Sequence, residues 1–153
     1  MRCPGGRRVR TMAAERPTGG CLCGGVRFEV TGPFLRANHC HCSRCRRHSG
    51  AAGCMQARVR REQFRLLAGE DLLRVYGRGE GAVKAFCTVC GSSVFGGTWP
   101  DGPQVSIRLG AFDGDPGVRL QFHTWVDSKA PWDDVTDALP RYPGDWRKDA
   151  KPI

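Results

Sequence analysis

Gly20-Cys21-Leu22-Cys23-Gly24-Gly25-Val26-Arg27-Phe28-Glu29-Val30-Thr31-Gly32-Pro33 carries two signals back to back. The C-x-C pair has metal-ligand spacing, because cysteines two or three positions apart can turn both sulfurs toward one ion. Directly after it, Val26, Phe28 and Val30 alternate with Arg27 and Glu29, the period-two pattern of a half-buried strand, and Thr31-Gly32-Pro33 stops the run. The expectation is a short β-strand pinned at one end by a metal knuckle.

The same grammar recurs further along. Seven of the nine cysteines fall into Cys21-x-Cys23, Cys40-x-Cys42-x-x-Cys45 and Cys87-x-x-Cys90. Cys21, Cys23, Cys87 and Cys90 can close a tetrahedral four-cysteine zinc site, whereas Cys40, Cys42 and Cys45 provide three ligands and leave the fourth position vacant. A closed site holds a fold, and an open one can do chemistry. Joining Cys23 to Cys87 closes a long loop, a role that suits a structural ion in a small domain. Gly24, Gly25 and Gly91 permit the tight backbone such knuckles need. A disulfide framework is the competing reading, but the paired spacings favour metal and no apolar signal stretch opens the chain. For the triplet, His39, His41, His48 or Cys54 could close the coordination. His41 lies between two ligands and His39 beside one, so both are expected to point away, while His48 and Cys54 are better placed to fold back. Cys54 is otherwise a small residue in an apolar strand, and Cys3 lies in the arm.

Other short strand candidates are residues 52–59, 72–76, 83–86, 92–97, 105–109 and 120–126, with Gly and Pro between most of them; residues 43–48 and 61–64 read as helical turns. Hairpins and meanders are therefore expected rather than βαβ units. The predicted fold is mainly β: one zinc-pinned domain of short antiparallel sheets over residues 18–145, preceded by a disordered basic arm over 1–17 and followed by a tail over 146–153. Met12 reads as an alternative start.

A chain of 153 residues with 40% hydrophobic content supports a single modest core. Seven thiolates and two Zn²⁺ ions bring the formal charge of +9 to +6, and Arg2, Arg7, Arg8 and Arg10 of the arm account for four of the remainder. The domain is then near +2, too little to argue for nucleic acid but suited to a small anion. No apolar run approaches the roughly 20 residues that cross a bilayer. A soluble protein of the reducing cytoplasm is expected.

The ordered set Gly20-Cys21-Leu22-Cys23-Gly24, His39-Cys40-His41-Cys42-Ser43-Arg44-Cys45-Arg46, Phe86-Cys87-Thr88-Val89-Cys90-Gly91-Ser92 and His123-Thr124-Trp125-Val126 resembles the glutathione-dependent formaldehyde-activating enzymes, a family that includes centromere protein V. The likeness continues through Lys129-Ala130-Pro131-Trp132 and Leu139-Pro140-Arg141-Tyr142-Pro143-Gly144. The resemblance implies a β-tent of antiparallel sheets, a structural zinc on Cys21, Cys23, Cys87 and Cys90, and a catalytic zinc on Cys40, Cys42 and Cys45. It also implies a carbon–sulfur lyase that joins glutathione to formaldehyde.

The residues agree with sulfur chemistry. Three thiolates on Zn²⁺ leave a net −1, a weaker Lewis acid than three imidazoles would give, better matched to a thiol than to splitting water. Glutathione's two carboxylates call for cations, and Arg44, Arg46 and Arg47 flank the last ligand, with Arg46 the first choice. His123 is a candidate for proton transfer and, two residues from Trp125 on a strand, would share its face; Trp132 joins this aromatic set. The alternative function is a non-catalytic zinc module that binds a thiol carrier or a macromolecular partner.

Overall fold

In the computed structural model, which describes residues 16–77 and 81–148, the alternating run is a strand whose inward Val26, Phe28 and Val30 are fully buried. Ten strands and one α-helix are present among these residues: β1 (Thr18–Gly20), β2 (Arg27–Val30), β3 (Arg36–Cys40), α1 (Ser43–Ser49), β4 (Cys54–Arg60), β5 (Phe64–Ala68), β6 (Leu73–Tyr76), β7 (Val83–Cys87), β8 (Ser93–Gly97), β9 (Gln104–Arg108) and β10 (Phe122–Thr124). They form a three-stranded sheet, β1-β2-β5, and a seven-stranded sheet, β10-β3-β4-β9-β8-β7-β6. The mainly β expectation is met. One pairing departs from the antiparallel pattern: β10 lies parallel to β3, placing His123 opposite His39 and Thr124 opposite Cys40. Long connections make a parallel neighbour possible where a hairpin could not.

The larger sheet has two unlike faces, and the strand period of two creates them. In register across β4, β9, β8 and β7 stand Ala57, Ile107, Phe95 and Ala85, all fully buried. Of these, Ile107, Phe95 and Ala85 join Phe28, Val30 and Phe64 of the smaller sheet in the main core. One residue over in each strand, Arg58, Ser106, Gly96 and Lys84 make the opposite row. Core packing and a polar recess therefore use alternate positions of the same strands.

Phe28 anchors the core, with ring centroids 5.8, 5.4 and 5.3 Å from those of Phe64, Phe95 and Phe112. Phe28→Ala should cost about 3–5 kcal/mol through lost transfer energy and the cavity left behind, read as a fall in the urea midpoint with an unchanged slope.

Most of the arm expected over residues 1–17 lies outside the described residues. Of its end, Pro17 accepts a bond from the Val30 amide at 2.8 Å and so belongs to the domain. Trp146, read from sequence as part of the tail, packs on the domain: it lies 5.2 Å from the Phe122 ring and 5.3 Å under the Arg36 guanidinium.

Candidate metal centres and the cationic cavity

Two knuckles meet at the first cluster. Gly24 N donates to Cys21 O at 3.0 Å and Gly91 N to Cys87 O at 2.9 Å, and both glycines take positive φ, 78° and 75°, which a side chain would strain. The four sulfurs of Cys21, Cys23, Cys87 and Cys90 lie within 4.8 Å of one another, with Cys21–Cys23 at 3.4 Å and Cys23–Cys87 at 3.8 Å. A zinc tetrahedron with Zn–S of about 2.3 Å has sulfur–sulfur edges of about 3.8 Å, so the cluster fits the ion, and every separation far exceeds a disulfide bond of about 2.05 Å. The Val26 amide donates to Cys21 Sγ at 3.2 Å and, against the opposing effect of burial, helps lower that thiol's pKa. Ser92, 3.2 Å from Cys90 Sγ, lowers Cys90 to about 5. Although the Gly25 amide favours its thiolate, Cys23 is pushed up to about 11 by its sulfur neighbours, Cys21 foremost, as expected of like charges sharing a small space.

The triplet sits where β3 runs into α1. Cys40 ends the strand, Cys42 is the helix N-cap and accepts from Cys45 N at 3.3 Å, and Cys45 is buried in the first turn. All three sulfurs lie within 4.8 Å of one another. No fourth ligand joins them among the described residues: His48 packs edge-on at 6.2 Å from Phe86, and Cys54, beside the cluster in the core, directs its thiol to Met55 O at 3.8 Å. Instead Lys84, itself buried, donates from Nζ to Cys45 Sγ at 3.1 Å. Hydrogen bonds from the Cys40 and Cys42 thiols, with the charge of Lys84, hold Cys45 far below the usual thiol range, and the same sulfur contacts push Cys40 up. The set is a preformed nest of three sulfurs with a cation beside it, consistent with zinc.

A cavity of about 440 Å³ opens over the triplet, lined by its three cysteines and by Arg36, Arg44, Arg58, Lys84, Arg147, Trp125 and Trp146 among others. Arg36 and Arg58 are direct cross-strand partners. Like charges facing each other across a ladder repel. Burial, then Arg36, Arg147 and Arg108, lower Arg58 to about 10. Among the described residues one carboxylate, Asp145, shares the lining, and it is held by Arg147 at 2.6 Å. The recess is built to receive negative charge.

Several residues singled out from sequence stand elsewhere. Arg46 does not line this cavity, and its Nε is buried without a partner; Arg44 lines it, while Arg47 does not. His123 and Trp125 do not share a face, because β10 ends at Thr124 and Trp125 takes φ 58°, which turns it into the cavity. His123 lies behind the sheet with His39 and His41, and Trp132 is exposed. Both histidines beside the triplet thus point away from it, as their positions next to ligands suggest. Sequence reading missed Lys84, Arg36, Arg58 and Arg147. The one available signal was a charge inside an apolar strand, as in Val83-Lys84-Ala85-Phe86.

A model of the family described as glutathione-dependent formaldehyde-activating enzyme matches residues 16–128. A Halomonas elongata relative, named "Putative glutathione-dependent formaldehyde-activating enzyme", is 29% identical over 134 residues, covering 76% of this chain and 79% of the relative. The crystal structure of a Rhodobacter sphaeroides protein superposes with a TM-score of 0.52 at 30% sequence identity, covering 64% of this chain and 89% of that one.

Proposed function

Because the chain belongs to the glutathione-dependent formaldehyde-activating enzyme family, we propose that the triplet cavity binds glutathione with formaldehyde or a related small aldehyde and interconverts them with the S-hydroxymethyl adduct, as a carbon–sulfur lyase. One observation carries this reading: among the described residues, three clustered thiols and a set of cations with a single carboxylate line the same recess. Cys21, Cys23, Cys87 and Cys90 would hold a structural zinc, and Cys40, Cys42 and Cys45 a catalytic one. When bound, the second ion supplies an open coordination position that favours the thiolate form of an incoming thiol.

The remaining work falls to the chain. Lys84 Nζ, directed at Cys45 Sγ, offsets the excess negative charge of three thiolates and keeps their orientation. Arg36, Arg58 and Arg147 face glutathione's carboxylates with charge-assisted donors, and Trp125 and Trp146 wall the recess. In the forward direction sulfur adds to the aldehyde carbon, one C–S bond forms, and the thiol proton ends on the aldehyde oxygen. The reverse breaks that bond and returns the proton to sulfur.

The test is the exchange rate of formaldehyde with S-hydroxymethylglutathione at equilibrium, against a no-enzyme control. Zinc-replete wild type should exceed the control and Cys42→Ser should fall to it. Protein with full zinc that neither binds glutathione nor exceeds the control would overturn the reading. Arg58→Met should weaken glutathione binding by about 1.5–3 kcal/mol through loss of a charged hydrogen-bonding group, measured by calorimetry. A larger loss in Arg46→Ala than in Arg58→Met would return the anion-binding role to Arg46.

A further inference from the structure

Behind β3, on the side away from the cysteine triplet, one ring nitrogen from each of His39, His41 and His123 lies within 4.8 Å of the others. His41 is fully buried and His123 nearly so. Each of these two turns one nitrogen outward to a carboxylate. His41 Nδ1 lies 3.3 Å from Asp133 Oδ2, a contact without hydrogen-bond alignment that leaves both buried atoms unpaired, and His123 Nε2 lies 3.0 and 3.1 Å from the two oxygens of Asp137. Asp137 is itself fixed by the Leu139 amide at 2.9 Å. Their other nitrogens, His41 Nε2 and His123 Nδ1, face each other at 2.9 Å.

That arrangement poses a problem of donors and acceptors. A neutral imidazole has one N–H and one lone pair. Without a metal, His41 Nε2–H donates to His123 Nδ1 and the buried lone pair of His41 Nδ1 is left unpaired facing a carboxylate; an ion on the two inward nitrogens, 2.9 Å apart, would put the proton of each ring on the side of its carboxylate instead. A histidine that donates one N–H to a carboxylate while its other nitrogen binds a metal is the common architecture of histidine metal sites. With metal–nitrogen bonds of about 2.1 Å, a 2.9 Å separation corresponds to two ligands roughly 90° apart. A hydrogen bond between His41 and His123 involves those two rings alone; the third imidazole, with its ring 4.0 Å from that of His41, brings a third nitrogen into the cluster, as a metal site needs.

The approach is also present. His39 lines a cavity of about 660 Å³ on this face, with Gly53, Cys54 and Met55. A side chain at Gly53 would bring its Cβ to 2.5 Å from His39 Nε2, so glycine there leaves room for the ring. We propose that His39, His41 and His123, backed by Asp133 and Asp137, form a third metal site, distinct from both cysteine clusters, that takes a divalent first-row transition ion. Imidazole donors suit zinc, iron, nickel or copper, whereas magnesium and calcium prefer all-oxygen shells. Three neutral imidazoles leave the ion its full charge, a stronger Lewis acid than the three-thiolate site.

The experiment uses the full chain, equilibrated with excess Zn²⁺, exchanged into metal-free buffer and analysed for metal by mass spectrometry. Wild type should retain one zinc per chain more than His39→Ala, and Asp137→Asn should release that ion at about 10- to 100-fold lower affinity. Near-UV circular dichroism checks that the variants are folded, and His39→Gln, which keeps most of the volume, is read in place of His39→Ala if the latter is not. Equal zinc in wild type and folded His39 variant overturns the proposal and leaves a proton shared between His41 and His123. Because the result is a difference, it does not depend on how many ions the cysteines hold, and its failure leaves the glutathione reading intact.

Discussion

Cys87→Ser should leave the chain unfolded at 25 °C, with loss of the β-sheet signal in far-UV circular dichroism and of the zinc proposed for its cluster. Cys87 ends β7, is fully buried, and lies 3.8 Å in sulfur–sulfur distance from Cys23, 64 positions earlier in the chain. The first cluster therefore joins the sharp turn before β2 to the β7–β8 hairpin, on which the seven-stranded sheet depends. Structural zinc in small domains contributes apparent binding energies of about 10–16 kcal/mol, comparable to or above the whole stability of a domain this size. A serine hydroxyl is a poor ligand and leaves its three partner thiolates uncompensated. Cys42→Ser makes the contrast. Serine is among the preferred N-cap residues, so α1 keeps its cap while the triplet loses a sulfur. That variant should remain folded, with a melting temperature within a few degrees of wild type, and lose the second metal. Equal destabilisation of the two would contradict the division of labour between the clusters.

Lys84→Met should abolish most activity without unfolding the protein. Lys84 Nζ is the cation within hydrogen-bond distance of Cys45 Sγ, and methionine fills similar volume without charge. With Lys84 gone, three thiolates around a divalent ion keep a net negative charge in a buried place, which costs metal affinity and admits an anionic substrate less readily. Loss of a group that hydrogen-bonds a metal ligand costs about 10- to 100-fold in affinity or activity. The measurement is zinc retained by the triplet under a competing chelator, together with the exchange rate. Unchanged values of both would remove Lys84 from the site. Lys84→Arg, which keeps the charge, should recover part of the activity.

What the sequence made legible was local. Two or three residues between cysteines limit where their sulfurs can go, so the four-plus-three grouping is visible without a fold, and Val26 to Val30 shows its buried face by alternation alone. β3 was missed because Arg36-Ala37-Asn38-His39-Cys40 faces a polar recess on one side and a histidine cluster on the other, so no apolar period marks it. At Phe64–Ala68 a 3-10 turn over Arg61–Gln63 runs directly into β5, and the turn obscured the strand. The cations of the cavity were illegible for another reason. Arg36, Arg58, Lys84 and Arg147 come from four separate segments, brought together by strand register and by the parallel seat of β10, and nothing local encodes that register. Arg46 was favoured from its place beside a ligand, yet a helix turns successive side chains about 100° apart, which takes Arg46 away from the face its neighbour presents.

Outside β8, where Val94 and Phe95 both enter the core, the two rows on the larger sheet follow a parity rule. Arg36, Asn38, Cys40, Gln56, Arg58, Lys84 and Thr124, all at even positions, line the recess, whereas Ala57, Val59, Ala85, Phe95, Val105 and Ile107, at odd ones, fill the core. Point substitutions at even positions can therefore retune ligand choice among descendants of this fold while hardly touching its packing. Gaining or losing one residue within β4 or β9 would exchange the two sets at once, so an insertion inside either strand should be far more disruptive than one in a connecting loop.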